Sequence, residues 1–159
     1  MTDHATNHTH VPLEQIVLNN HMPSAAAELL QSAWQCMRYA ERVADANLRF
    51  SLAHRSALRA AAAVLAVRAR VAPVGAAPEM SRPQNAWMLM QTVAPELSEW
   101  AEYYLSATPM KQAAESGAPV VTARMADDAV RDAVQFIWDA AAMASRLSSD
   151  SSMFQPHAG

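Results

Sequence analysis

The most informative stretch of the chain is residues 49–66, which read RFSLAHRSALRAAAAVLA. Alanine is the residue that is held in a helix at the lowest free-energy cost. Apolar residues cover most of the helical wheel of this stretch, and the arginines Arg55 and Arg59 share one face with Arg70. A helix that is apolar on most sides belongs in the middle of a bundle. We therefore predict a central helix over residues 47–70.

Helical periodicity continues on both sides of this central helix, and prolines and glycines mark the breaks. The predicted elements are a helix over 25–44 capped by Ser24, a long loop over 71–83, a helical region over 84–106 that restarts at Pro95, a short helix from Thr108-Pro109 to Gly117, and a helix to about 147 capped by Thr122. Together they predict an all-α fold, an antiparallel up-and-down bundle of four to five helices. The bundle occupies residues 23–148, between a mobile N-terminal arm over 1–22 and a mobile C-terminal tail over 149–159.

The composition favours one globular helical domain in a reducing compartment. Of the 159 residues, 52% are hydrophobic and 17% are charged, which is enough apolar material for one core. Cys36 is the single cysteine, so the chain has neither an intramolecular disulfide nor a cysteine pair for zinc. The N-terminus lacks an apolar signal core, and no apolar run approaches the length of a membrane span. We expect a cytoplasmic protein without a cofactor.

The charges are unevenly placed along the chain. Residues 38–70 contain seven arginines and two acids, a local balance of 7 − 2 = +5. Residues 79–150 contain five basic residues and ten acids, a balance of 5 − 10 = −5. Such a layout suits internal pairing of the two halves, self-association or an anionic ligand. Internal pairing is the favoured interpretation, because it needs no partner.

Three segments together resemble a known family: residues 49–66, residues 86–89 (AWML) with 93–100 (VAPELSEW), and residues 121–133 (VTARMADDAVRDA) followed by Phe136. Their order and spacing resemble a small actinobacterial subfamily of HEPN domains (higher eukaryote and prokaryote nucleotide-binding). The resemblance covers about residues 24–147. It implies an up-and-down bundle of four or five helices that often dimerises.

The resemblance also implies a test for catalysis. Ribonuclease members of the superfamily carry an Arg and, four to six residues later, a His in a late helix, and two such sites meet across a dimer. In this chain the last helix has Arg124 and Arg131 but no His at that distance. Arg49 and His54 have the spacing, but they lie in the second helix, about 140° apart around its axis. The pattern therefore disfavours an enzyme and leaves Arg49 and His54 as weak catalytic candidates.

His54 shares a helical face with Leu58, Ala61 and Leu65, which indicates a core histidine. A buried neutral imidazole needs a hydrogen-bond partner. We expect that partner to be a carboxylate such as Asp128, or a hydroxyl. The sequence thus predicts a structural polar network of His54, Asp127 and Asp128.

Candidate phosphate ligands are the arginines of the two long helices: Arg55, Arg59, Arg70, Arg124 and Arg131. The competing interpretation is that the acids of the bundle neutralise these arginines, above all Asp127, Asp128, Asp132 and the acids between Glu96 and Glu102. In the N-terminal arm, His4, His8 and His10 form a loose cluster that no acid or cysteine completes, so we predict no metal site.

The leading functional hypothesis is a non-catalytic HEPN-like binding or scaffold module, a homodimer whose ligand is a nucleotide or RNA. One alternative is a degenerate, metal-independent ribonuclease that uses Arg49 and His54 across a dimer. The other is a protein–protein adaptor. The sequence contains no DNA-binding motif.

Overall fold

The computed structural model describes residues 22–71 and 85–153, and all regular structure in these residues is helical. The helices are α1 (Ser24–Ala40), α2 (Ala46–Val71), α3 (Ala86–Val93), α4 (Ser98–Glu115) and α5 (Ala123–Met153), with a 3₁₀ turn over Pro95–Leu97 before α4. The predicted all-α fold is confirmed. The arm except Met22, the predicted loop except Val71, which is the last residue of α2, and the last six residues lie outside the described residues.

The helix α2 occupies the centre of the bundle, and α1, α3, α4 and α5 all pack against it. Contacts across α2 fix the helix directions: Asn47 bonds the carbonyl of Ala118 beyond α4, and Arg68 pairs with Glu96 ahead of it. Consecutive long helices are therefore antiparallel, as predicted. The most extensive packing joins α2 to α5, and these two helices run parallel. Alanines that line both helices permit this close approach.

The core consists of two apolar clusters. The main cluster joins all five helices around fully buried side chains that include Leu30, Met37 and Phe136. The smaller end cluster lies where α2 and α5 begin and α4 ends. Its buried members are Phe50, Ala53, Ala114, Ala126, Ala129 and Ala133.

Three helix ends differ from the sequence prediction. The helix α1 ends at Ala40 and not near residue 44, because Asp45 starts α2. The carboxylate of Asp45 accepts a hydrogen bond from the N–H of Leu48, and its backbone carbonyl accepts one from the N–H of Arg49. Ser24 is the first residue of α1 and makes no side-chain cap. The helix α5 continues to Met153, so residues 149–153 are helical where we expected the tail. Ser145 and Ser148 are buried, so the packed face of α5 extends beyond Leu147.

Pro109 lies inside α4, whereas the sequence predicted that it starts a separate helix. Proline removes one helical hydrogen bond, and this cost is offset when both flanks of the helix are packed. Here Tyr104 belongs to the main cluster and Ala114 to the end cluster, so both halves of α4 are held in one helix. Gly117, with φ of +87°, then ends α4 as predicted.

Candidate functional site

Arg49 is a structural clamp between the starts of α2 and α5. Its guanidinium pairs with the carboxylate of Asp127 and donates hydrogen bonds to the carbonyls of Val43 and Ala123, both at 3.4 Å. Its side chain is only 17% exposed. An arginine with three partners inside the chain has little capacity for a substrate.

His54 is buried between α2 and α4, with 4% of its surface exposed. Its Nδ1 lies 3.1 Å from the carbonyl oxygen of Phe50, and a carbonyl only accepts, so the neutral ring carries its proton on Nδ1. The ring packs at centroid distances of 4.3 Å from Phe50 and 5.2 Å from Tyr104. His54 therefore joins the end cluster to the main cluster.

The predicted network of His54 with Asp127 and Asp128 is wrong. Asp127 pairs with Arg49, and Asp128 accepts a hydrogen bond from Arg131 at 2.6 Å. Both carboxylates lie at the surface of α5, whereas the imidazole bonds the backbone of its own helix. A wheel assigns a residue to a face, but the partner across that face depends on how the neighbouring helix is rotated.

Three buried, uncharged polar atoms of α2 and α4 lack a hydrogen-bond partner within the described part of the chain. They are Nε2 of His54, the hydroxyl of Ser51 and the hydroxyl of Tyr104. Burial lowers the pKa of His54, and the Lys111 ammonium acts in the same direction; the Phe50 carbonyl, Asp132 and Glu115 oppose it. The imidazole is thus held neutral and closed off from solvent.

Arg49 and His54 consequently do not form one site within the chain. The arginine extends to the start of α5, and the histidine faces the aromatic side chains of the core. General acid–base catalysis needs a group that reaches its substrate. The closed imidazole weakens the ribonuclease hypothesis.

Three of the candidate phosphate ligands lie on the outer face of α2. Arg55, Arg59 and Arg70 lie within about 60° of each other around the axis, and we name them the arginine face. Arg55 lies 3.8 Å from Glu115, at the limit of an ion pair, and 52% of its side chain is exposed. Arg59 and Arg70 pair with no acid that the structure describes.

The acids that we expected to neutralise the arginine face have other partners. Glu96 pairs with Arg68 at 2.7 Å, and Asp132 accepts a hydrogen bond from Tyr103 at 2.8 Å. These contacts hold the 3₁₀ turn against α2 and hold α4 against α5. The interpretation that the surrounding acids fully neutralise this stripe is therefore wrong for Arg59 and Arg70 within the described residues.

The two candidate arginines of α5 lie on a different surface. Arg124 and Arg131 are exposed near the start of α5, where Asp127 and Asp128 alternate with them. Arg131 is paired with Asp128, three residues earlier. Mixed charge of this kind binds a phosphate chain less well than an uninterrupted basic face.

Tyr39 is an exposed aromatic residue that was not predicted from the sequence as a site residue. Its side chain is 55% exposed, more than that of any other aromatic residue within 22–71 and 85–153. The buried stripe of α1 consists of Ala26, Leu30, Ala33, Met37 and Ala40. Tyr39 does not follow that spacing, and this mismatch was the available signal.

Within the described ranges, no helix combines the length and the apolar character of a membrane span. The same residues contain no cluster of three or more potential metal ligands. His4, His8 and His10 lie outside the described part of the chain.

Comparison with known proteins gives one match. The family model for SAV_6107-like HEPN domains matches residues 40–141, well over half of the chain. This span contains α2, α3, α4 and the first two thirds of α5. No curated protein and no solved structure matches the chain.

Proposed function

The chain belongs to the SAV_6107-like HEPN family, and from this premise we propose that it is a non-catalytic module that binds RNA through the arginine face of α2. The observation that carries the proposal is that Arg59 and Arg70 have no described acidic partner. Guanidinium groups bind phosphate oxygens with paired hydrogen bonds. A phosphate chain supplies the counter-charge that the protein does not.

The length of the arginine face favours RNA over a single nucleotide. Fifteen residues of α2 separate Arg55 from Arg70, which is about 22 Å along the helix axis. One mononucleotide reaches one or two of these arginines, whereas a short single strand reaches all three. RNA is therefore the ligand that we expect to bind more tightly.

We also propose that the protein is a homodimer, since HEPN domains commonly dimerise. The exposed Leu58 of α2 is apolar surface that a second copy or another protein can cover. An adaptor role without RNA is the outcome that remains if no RNA binds.

The binding test is a fluorescence-anisotropy titration of a labelled single-stranded RNA at several salt concentrations. Three phosphate contacts on a single strand give a slope of log affinity against log salt of about −2. Each lost contact reduces the magnitude of this slope by about 0.7. We expect Arg59→Gln and Arg70→Gln each to weaken binding and to flatten the slope.

The matched control is Arg131→Gln, which removes the same charge from an exposed site on α5. Its affinity should remain close to that of the wild-type protein. Equal losses in all three variants would show that only net charge matters, and the arginine face would be abandoned.

A cleavage assay separates this function from the ribonuclease alternative. We expect the RNA to stay intact with the wild-type protein. Cleavage that disappears in His54→Asn would instead establish the ribonuclease. That result would require the closed imidazole to open.

A further inference from the structure

Tyr39 differs from every other aromatic residue that the structure describes. The rings of the tryptophans, of Phe50, of Phe136 and of Tyr103 and Tyr104 each pack against another ring. Tyr39 has no such contact among the described residues, and its ring lies at the surface. A planar ring of this kind offers a surface on which another ring can stack.

The register of α1 against α2 places Tyr39 beside the arginine face. The thiol of Cys36 donates to the carbonyl of Leu52, so these two residues lie at the same level of an antiparallel pair. Three residues further along α1 correspond to three residues back along α2, at Arg49, so Tyr39 lies within one residue of the level of Leu48. Both side chains are exposed, at 55% and 44%.

Leu48 in turn shares the outer face of α2 with Arg55 and Arg59. The three side chains lie within about 40° around the axis, and Arg55 follows Leu48 by about 10 Å along it. Tyr39 and the arginine face therefore belong to one continuous surface formed by α1 and α2.

A further cation follows Tyr39 closely in the chain, and the backbone N–H of Arg42 donates to the carbonyl of Tyr39. Arg42, three residues later, donates from Nε to the carbonyl of Arg38 at 3.3 Å, and its guanidinium is exposed. No acid within the described ranges pairs with Arg42, whereas Arg38 approaches Glu41 at 3.8 Å. This end of the surface thus combines an aromatic ring with a guanidinium that is available to phosphate.

We propose that Tyr39 stacks on an unpaired base of the strand whose phosphates the arginine face holds. This inference rests on the proposed RNA binding and adds the part of the ligand that Tyr39 contacts. Stacking on an aromatic ring stabilises a bound base and accepts any of the four bases. The site therefore distinguishes a strand with bases from its bare backbone and has little preference among sequences.

The test compares a single-stranded RNA with an abasic strand of the same length. Wild-type protein should bind the base-containing strand about tenfold more tightly. Tyr39→Ala should lose that difference, and Tyr39→Phe should keep it. Met88→Ala, which removes an exposed apolar side chain from α3, should behave as the wild type.

The possible results separate the two proposals. If wild-type protein binds both strands equally and Tyr39→Ala changes nothing, the stacking site is wrong and the arginine face stands. If the wild-type protein binds neither strand, both proposals are wrong. Thermal melting of Tyr39→Ala checks that the exposed substitution leaves the fold intact.

Discussion

On the packed, inner sides of α2, which face α5 and α4, Arg49 and His54 direct their hydrogen-bonding groups at the protein itself. On the outer face, Arg59 and Arg70 meet no described acid. Arg49 and His54 are residue types that are common in active sites, and Arg59 and Arg70 are a residue type that is common in phosphate sites. The difference teaches that a charged residue is available to a ligand only if the fold leaves it without a partner. Inner-face substitutions should therefore change stability, and outer-face substitutions should change binding.

The largest expected effect is that of Phe50→Ala on stability. Phe50 is 5% exposed, anchors the end cluster and packs against His54, so its truncation should cost about 3–5 kcal/mol of unfolding free energy. Urea denaturation measures this loss. Leu48→Ala, on the outer face, should cost about 1 kcal/mol or less, and equal losses would contradict the division of α2 into two faces.

Arg49→Met should cost about 1 kcal/mol. Most of this loss comes from the hydrogen bonds to Val43 and Ala123, because Asp127 is 64% exposed and solvent screens its attraction to Arg49. Asp127→Asn should therefore destabilise the protein less than Arg49→Met in the same urea titration. The reverse order would show that the ion pair is the main contribution.

His54 should make stability depend on pH. Burial lowers its folded-state pKa below the ordinary value of 6.5, so the unfolded chain takes up a proton first as the pH falls. The wild-type unfolding free energy should therefore decrease below pH 6.5 and be unaffected by this group above it. His54→Leu should remove this part of the slope, and an unchanged slope would place the titrating group elsewhere.

The smallest effect on stability is expected for Arg59→Gln. This side chain has no described acidic partner on the outer face, so the unfolding free energy should stay within about 0.5 kcal/mol of the wild type. The same variant should weaken RNA binding. A clear loss of stability would reveal a structural role and remove Arg59 from the binding surface.

The fold was largely predictable because the sequence of α2 identifies it as a central, buried helix. Its alanines and its apolar circumference required neighbours on several sides, and only a helical bundle supplies them. Pro109 was misread because the local rule against proline in a helix is weaker than packing on both of its flanks. The end of α5 was placed too early because the sequence alone does not distinguish the buried Ser145 and Ser148 from the exposed serines of a tail.

The candidate site was less predictable. The burial of His54 followed from its position on the helical wheel. Its hydrogen-bond partner could not be predicted, because every helix offers a backbone carbonyl four residues earlier, as Phe50 does here. The expected pairing of acids with Arg59 and Arg70 failed for a related reason. Asp132 and Glu96 were already engaged by Tyr103 and Arg68, and which acid meets which base depends on the arrangement of helices in space.

The polar contact between the two apolar clusters has a consequence for the motions of the bundle. The hydroxyl of Tyr104 and Nε2 of His54 gain hydration when α4 separates from α2, which lowers the free energy of a local opening there. Pro109 has no backbone N–H, so α4 lacks one helical hydrogen bond at the same level. Amide hydrogens of residues 110–117 should exchange through this partial unfolding, ahead of those in the middle of α2, so the bundle behaves as two cooperative units.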